Sequence, residues 1–141
     1  MAFCFPLFLL LTRVAGREAS PGHWAVEAMG FVVAWLAFAV ASHQMATLAL
    51  RRADWPRFIS AWNWTNVLQY LCLCAASLMG SALGTTAMQL LSLLSVAYAL
   101  WLEWFTTRAA LGVAGPAAVL FVLLDLAIGL FVQGFIARSG G

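Results

Sequence analysis

Residues 113–136 read VAGPAAVLFVLLDLAIGLFVQGFI, a run with one acidic side chain, Asp125, and no basic one. A run of this length and composition can cross a hydrocarbon core, which takes about 20 residues in a helix. It does not alternate apolar with polar, and it is about twice the length of a barrel strand of roughly 10 residues. Three earlier runs share its character, at about Ala28–Leu50, Trp62–Leu83 and Thr86–Thr107. The sequence therefore predicts an all-α fold, a polytopic bundle of four transmembrane helices forming one integral membrane domain over residues 1–141. The linkers Arg51–Ala61, Gly80–Thr86 and Arg108–Gly112 are short, which forces antiparallel neighbours and an up-down bundle. Gly80-x-x-x-Gly84 is read as part of a tight reverse turn between the second and third spans.

Composition agrees with this reading. The chain has 141 residues, 65% hydrophobic and 9% charged, with a mean hydropathy of +0.96. Soluble domains are roughly 25% charged, so the polar side chains here cannot coat a globular surface. A net charge of +2 leaves no patch that tracks phosphates, and no nucleic-acid partner is expected. The partners expected are the lipid bilayer, other copies of the chain, or other membrane proteins. Met1–Gly16 is apolar but interrupted by Pro6 and followed by Arg13 and Arg17. Its reading stays open between a short or tilted extra helix, an interfacial segment and a leader.

All seven basic residues are arginines. Arg51, Arg52 and Arg57 cluster after the first span and Arg108 follows the third, so these ends are expected in the cytoplasm and Arg138 on the far side. Trp55, Trp62, Trp64, Trp101 and Trp104 fall at that same face and read, with the three clustered arginines, as interfacial anchors. Asp54-Trp55-Pro56 reads as a helix start, with Asp54 as cap and Pro56 in the first turn.

Polar residues inside the spans recur at helical spacing. On the second span these are Asn63, Asn66, Tyr70, Ser77 and Ser81. The third carries Thr85, Gln89, Ser92, Val96, Ala99 and Glu103. The first has Ala39, His43, Ala46 and Thr47, and the last Ala118, Asp125 and Gly129, with Gln133 near the edge. Steps of three and four stack each set on one helix face. Such stripes serve either helix packing, through small residues and interhelical hydrogen bonds, or a polar pathway. The candidate intramembrane cluster is Asp125, His43, Asn66, Tyr70, Ser77, Ser92 and Glu103. Asp125 is the strongest member, because a carboxyl in the middle of a span faces the bundle interior. With no cation at its depth, it is expected protonated and bonded to Tyr70, Ser77, Ser92 or Ser95, or relaying protons with His43. Glu103 is expected to point inward, toward Asn66 or His43, and Arg108 to snorkel.

No phosphate loop or nucleophile elbow is present, so the chain is not expected to be an enzyme. Cys72 and Cys74 lie two apart on a helix and point to nearly opposite sides, and His23 and His43 stand about 30 Å apart along one helix. Neither pair can share a metal or haem, and no cofactor or metal is expected.

The stretch RFISAWNWTNVLQ over 57–69 and the run Leu100–Asp125, with Trp104-Phe105-Thr106-Thr107-Arg108 entering the last apolar helix, resemble small inner-membrane proteins of proteobacteria. These in turn are distantly similar to the Yip1-like membrane domain. The resemblance implies a small multi-pass protein of the bacterial inner membrane and brings no catalytic residues. The function expected is non-enzymatic, acting through lateral helix contacts as a subunit, assembly or organising factor. The alternative is a small transporter or channel subunit with a cytoplasm-facing polar pathway around Asp125. A cavity lined by Asn66, Tyr70, Glu103 and Asp125 would favour the alternative.

Overall fold

The computed structural model describes residues 6–7, 21–83 and 85–139; the expectations for Met1–Gly16 lie outside these, apart from Pro6 and Leu7. Four long helices carry the fold: α1 Pro21–Leu48, α2 Trp55–Leu83, α3 Thr85–Leu111 and α4 Gly115–Ser139, with one 3-10 turn at Arg52–Asp54 ahead of α2. No strand occurs among the described residues. Stretches long and apolar enough to cross a membrane lie at Trp24–Leu48, Thr86–Leu111 and Gly115–Arg138. The expected fourth, on α2, is not among them. Asn63, Asn66 and Gln69 lie in the half of α2 that follows the arginines and lower its hydropathy.

The helices run longer than the apolar runs that announce them. Helix α2 starts at Trp55, ahead of its apolar run and where Asp54-Trp55-Pro56 marks a helix start, with Pro56 in its first turn, where its missing N–H costs nothing. Residues 80–83 are helical and α3 begins at Thr85, so helix takes up all the described residues of the expected Gly80–Thr86 linker. Gly80 lies inside α2. At the other end α3 continues to Leu111, and only residues 112–114 separate it from α4. Helix is favoured to the last possible residue because backbone groups in an apolar solvent have no other partner.

Two helix ends are closed by left-handed residues. Gly112 has φ 63 and donates its N–H to Arg108 O at 2.9 Å. Helix α1 ends in a Schellman closure, Arg51 N–H to Ala46 O at 2.7 Å and Leu50 N–H to Thr47 O at 3.1 Å. Its left-handed residue is Leu50, φ 57, where glycine is usual.

Helices α2 and α3 form a close hairpin; α1 packs on α4 and α3 on α4, while the α1 and α2 backbones scarcely approach. Aromatic rings fill the wider gap. Phe38 of α1 stacks on Trp62 of α2 with centroids 4.3 Å apart and meets Phe58 at 6.2 Å. Phe58 meets Phe121 of α4 edge-on at 5.5 Å. These rings, with Ala46, Ala110 and Leu111, are the core, gathered at the arginine-rich end. On the α1–α4 side, Gly30 permits the opposite geometry: a Cβ there would collide with Ile136 Cδ1.

A left-handed backbone costs a branched residue about 1–2 kcal/mol and a glycine almost nothing. Leu50→Gly is therefore expected to stabilise the protein by about 1 kcal/mol, and Gly112→Ala to destabilise it by about as much. Reversible unfolding in mixed micelles reads both, and equal signs for the two would contradict the turn assignments.

Candidate functional site

Glu103 and Asp125 come from helices that meet at the Gly112–Ala114 turn. Counting back from the turn along α3 and forward along α4 brings both to nearly the same depth. The structure places the Glu103 carboxyl against that of Asp125, with the Trp62 indole beside it. Glu103 is 4% exposed and Trp62 5% exposed. Neither Glu103 Oε1 nor Trp62 Nε1 makes a hydrogen bond. A buried polar atom without a partner typically costs about 1–3 kcal/mol, so the two mark a place the fold leaves polar and unfinished.

In front of this group lies a half-open cleft of about 320 Å³ between α1, α2 and α4. Asn66, Tyr70 and Asp125 are its polar lining, and Phe31, Trp35 and Trp62 are aromatic walls. The cleft exists because large rings hold α1 and α2 apart. Trp35 crosses the gap, donating Nε1–H to Asn63 Oδ1 at 2.8 Å, while Asn63 donates in turn to Ile59 O at 2.8 Å. Phe31 and Tyr70 face each other at 6.4 Å. Asn66 donates to Trp62 O at 3.1 Å, which anchors its amide in the cleft wall.

Other expected residues fall elsewhere. His43 meets the Trp55 ring edge-on at 5.0 Å, close to the arginine-rich end. It stands about 12 Å beyond Trp35 along α1 at 1.5 Å per residue, so no relay joins it to Asp125. The expected hydroxyl partners are also displaced: the α3 residue facing Asp125 is Glu103, not Ser92 or Ser95. The expectation measured depth from the ends of each apolar run, whereas the turn sets the register. Ser77 and Ser92 are half-buried farther along the hairpin and do not line the cleft. Glu103 points inward as expected, but to Asp125 and not to Asn66 or His43. Gln89 and Val96, placed on an inner stripe by spacing, are exposed, as is Gln133. The side chains of Ser81 and Thr85 lie outside those described.

The tryptophans divide. Trp64, 64% exposed, and Trp101 face outward, the latter stacked on Phe105 at 5.7 Å. Trp55 is half-buried and donates to Ser42 Oγ at 3.2 Å. Trp104 donates to Gly115 O at 3.1 Å, tying α3 to the start of α4, and carries Arg108 4.7 Å above its ring. Trp62, grouped with the interfacial anchors by its position, is a core residue and a cleft wall. Arg57 donates Nε–H to Ala110 O at 3.0 Å and Nη2–H to the same oxygen, capping the last turn of α3. It also lies 3.7 Å from Asp54, which Arg51 approaches at 3.9 Å from the other side. A guanidinium at a helix C-terminus gains from the carbonyl dipoles it faces. Arg52 is exposed.

Two residues escaped the sequence reading. Trp35 and Phe31 are cleft walls, and the signal was available: Phe31, Trp35 and Phe38 recur at steps of four and three on one face of α1. As for ligands, two carboxyls with an indole N–H can bind a cation or hold a proton between them. No third His, Cys, Asp or Glu joins them in a metal-binding group among the described residues.

Hydrogen bonds to a charged donor contribute about 1.5–3 kcal/mol when well made. Arg57→Met is expected to cost about 2 kcal/mol, while Arg52→Met should stay within about 0.5 kcal/mol. Unfolding of both variants in micelles measures the difference, and equal costs would remove Arg57 from its capping role. No family model, no curated protein and no solved structure matches the chain, so its functional reading rests on its own residues.

Proposed function

We propose that this chain is a multi-pass protein of the bacterial inner membrane, with four spanning helices, that acts non-enzymatically as a small-molecule binding or transport subunit through its cleft. The carrying observation is the half-open cleft with Asn66, Tyr70 and Asp125 on its wall and Glu103 behind it. Intramembrane carboxyls are costly to insert, by about 2.5–3.5 kcal/mol each on insertion scales, and mark functional pathways more often than packing sites. The fourth span in this proposal is α2. It has 29 residues and packs closely against α3, itself long and apolar enough to cross, so it belongs in the same layer. Four helices enclose little volume, and an oligomer would enlarge the pathway.

A second reading is supported by a different surface. A lateral groove of about 480 Å³ between α1 and α4, lined by Val26, Met29, Val33, Phe131 and Phe135 among others, is almost wholly apolar. It suits lateral contact with a helix of another membrane protein or of a second copy, as a subunit or organising factor.

Both parts of the proposal can be measured. A phosphatase reporter fused after Gly141 is expected to be active, placing the C-terminus outside the cytoplasm and Arg51–Arg57 inside; an inactive fusion with a sound cytoplasmic control would reverse the topology. Gly129 lines the cleft, and a Cβ there meets nothing within 4 Å. Gly129→Cys, with the native cysteines changed to alanine, should react with a water-soluble, membrane-impermeant maleimide. A thiol that reacts only after denaturation would mean that the cleft is closed to water.

A further inference from the structure

The wall of the cleft carries one carboxyl, Asp125, backed by a second, and no cationic side chain lines it. Asp125 faces the space, and Glu103 stands behind it with Oε1 unbonded. Trp62, also on the wall and also deeply buried, has Nε1 unbonded. The arginines nearest in sequence are engaged elsewhere: Arg51 and Arg57 with Asp54, and Arg108 over Trp104. Two adjacent carboxyls in an apolar surround cannot both ionise unless a positive charge joins them. Around them stand Phe31, Trp35, Trp62 and Tyr70, ring faces that attract cations as well as apolar bodies.

We propose that the cleft binds a protonated amine carrying an aromatic or aliphatic body, with the ammonium at Asp125, in front of Glu103, and the body among the rings of Trp35, Trp62 and Tyr70. This rests on the reading of the cleft as a water-accessible ligand site and adds the class of ligand. An ammonium brings what the site lacks, N–H donors for Asp125 and a positive charge to balance the Asp125–Glu103 pair. The Trp62 N–H is then the donor poised beside the ionised Glu103 carboxylate. A quaternary cation would supply charge and no donor, and an alcohol a donor and no charge, so the primary amine meets more of the site's unfilled needs than either. The volume of about 320 Å³ limits the body to a small one, of the size of a phenethyl group.

The test is titration of phenethylamine onto the full chain in lipid nanodiscs, read by tryptophan fluorescence from Trp35 and Trp62, with phenethyl alcohol as the uncharged match. Saturable quenching by the amine is expected, with the alcohol at least about tenfold weaker, as loss of a charged pairing predicts. Asp125→Asn and Glu103→Gln are each expected to weaken the amine by about tenfold and to leave the alcohol unchanged. Equal binding of amine and alcohol to the unaltered chain would overturn the proposal, even if neither variant folds. So would absence of amine binding while Gly129→Cys is still labelled, an outcome that leaves the cleft reading standing. An unlabelled Gly129→Cys with no amine binding removes both.

Discussion

The three-residue turn at Gly112–Ala114 sets the register on which the site depends. A left-handed glycine closes α3, Arg57 caps its last carbonyls, and Trp104 reaches across to Gly115 O. With the hairpin pinned at that end, depth is counted from the turn, and Glu103 and Asp125 come level. A one-residue slip in either helix would rotate its carboxyl about 100° around the helix axis, out of the pair. Turn geometry thus brings the two carboxyls together; as anions they would repel, and a proton or a cation between them turns the contact into a bond.

The second constraint is the unequal spacing of the helices. Glycine and small residues draw α1 onto α4 at Gly30, where Ile136 fills the place of a side chain. Rings do the reverse between α1 and α2. Phe38, Phe58, Trp62 and Phe121 fill the space at the arginine-rich end and make a core there. Farther along, the Trp35–Asn63 bond and the Phe31–Tyr70 contact bridge the gap without filling it, and the cleft is what remains. One pattern of large side chains thereby produces both a packed core and a polar opening beside it. Interiors are close-packed as a rule, so an opening next to the core signals a missing occupant better than one at a frayed end would.

The helical class and the existence of the long helices were legible from apolar runs alone. The boundaries were less so: Asp54-Trp55-Pro56 marked the start of α2, but Arg108–Leu111 continues α3 beyond its apolar window. Hydropathy marks where lipid is; hydrogen bonding decides where the helix stops. For the site, inward placement of Asp125 and Glu103 followed from the cost of exposing carboxyls to lipid, and Asn66 and Tyr70 followed from three- and four-residue spacing. Their partners were not legible from depth measured within each run. Counted from the expected Arg108–Gly112 linker, Glu103 and Asp125 differ by eight residues in depth, and only the extension of α3 to Leu111 brings them level. The spacing rule overreached on α3, where Gln89 and Val96 face outward, since a helix in a hairpin is covered on part of its length only. Trp62 was misplaced for a related reason: tryptophan near a span's end suits both a headgroup and a core, and only its neighbours Phe38 and Phe58 decide.

Polar groups without partners are what separates the packing explanation of the stripes from the ligand explanation. Where the stripes serve packing, the bonds are complete: Thr65 Oγ1 shares a hydrogen with Thr106 Oγ1 at 2.9 Å, and Gln69 donates to Ala99 O at 2.9 Å, both joining α2 to α3. On α3 these contacts lie on either side of Glu103, and on α2 both follow Trp62. Beside them the Trp62 indole N–H approaches the Glu103 carboxyl without well-formed hydrogen-bond geometry, and Glu103 Oε1 is left without a partner. A hairpin selected for association alone could satisfy this pair with a rotamer change or replace both residues by leucine at a gain in stability. Two incompletely bonded polar atoms beside Asp125, next to an open cleft, are a local inconsistency of the kind functional sites carry, and they support the ligand reading proposed above.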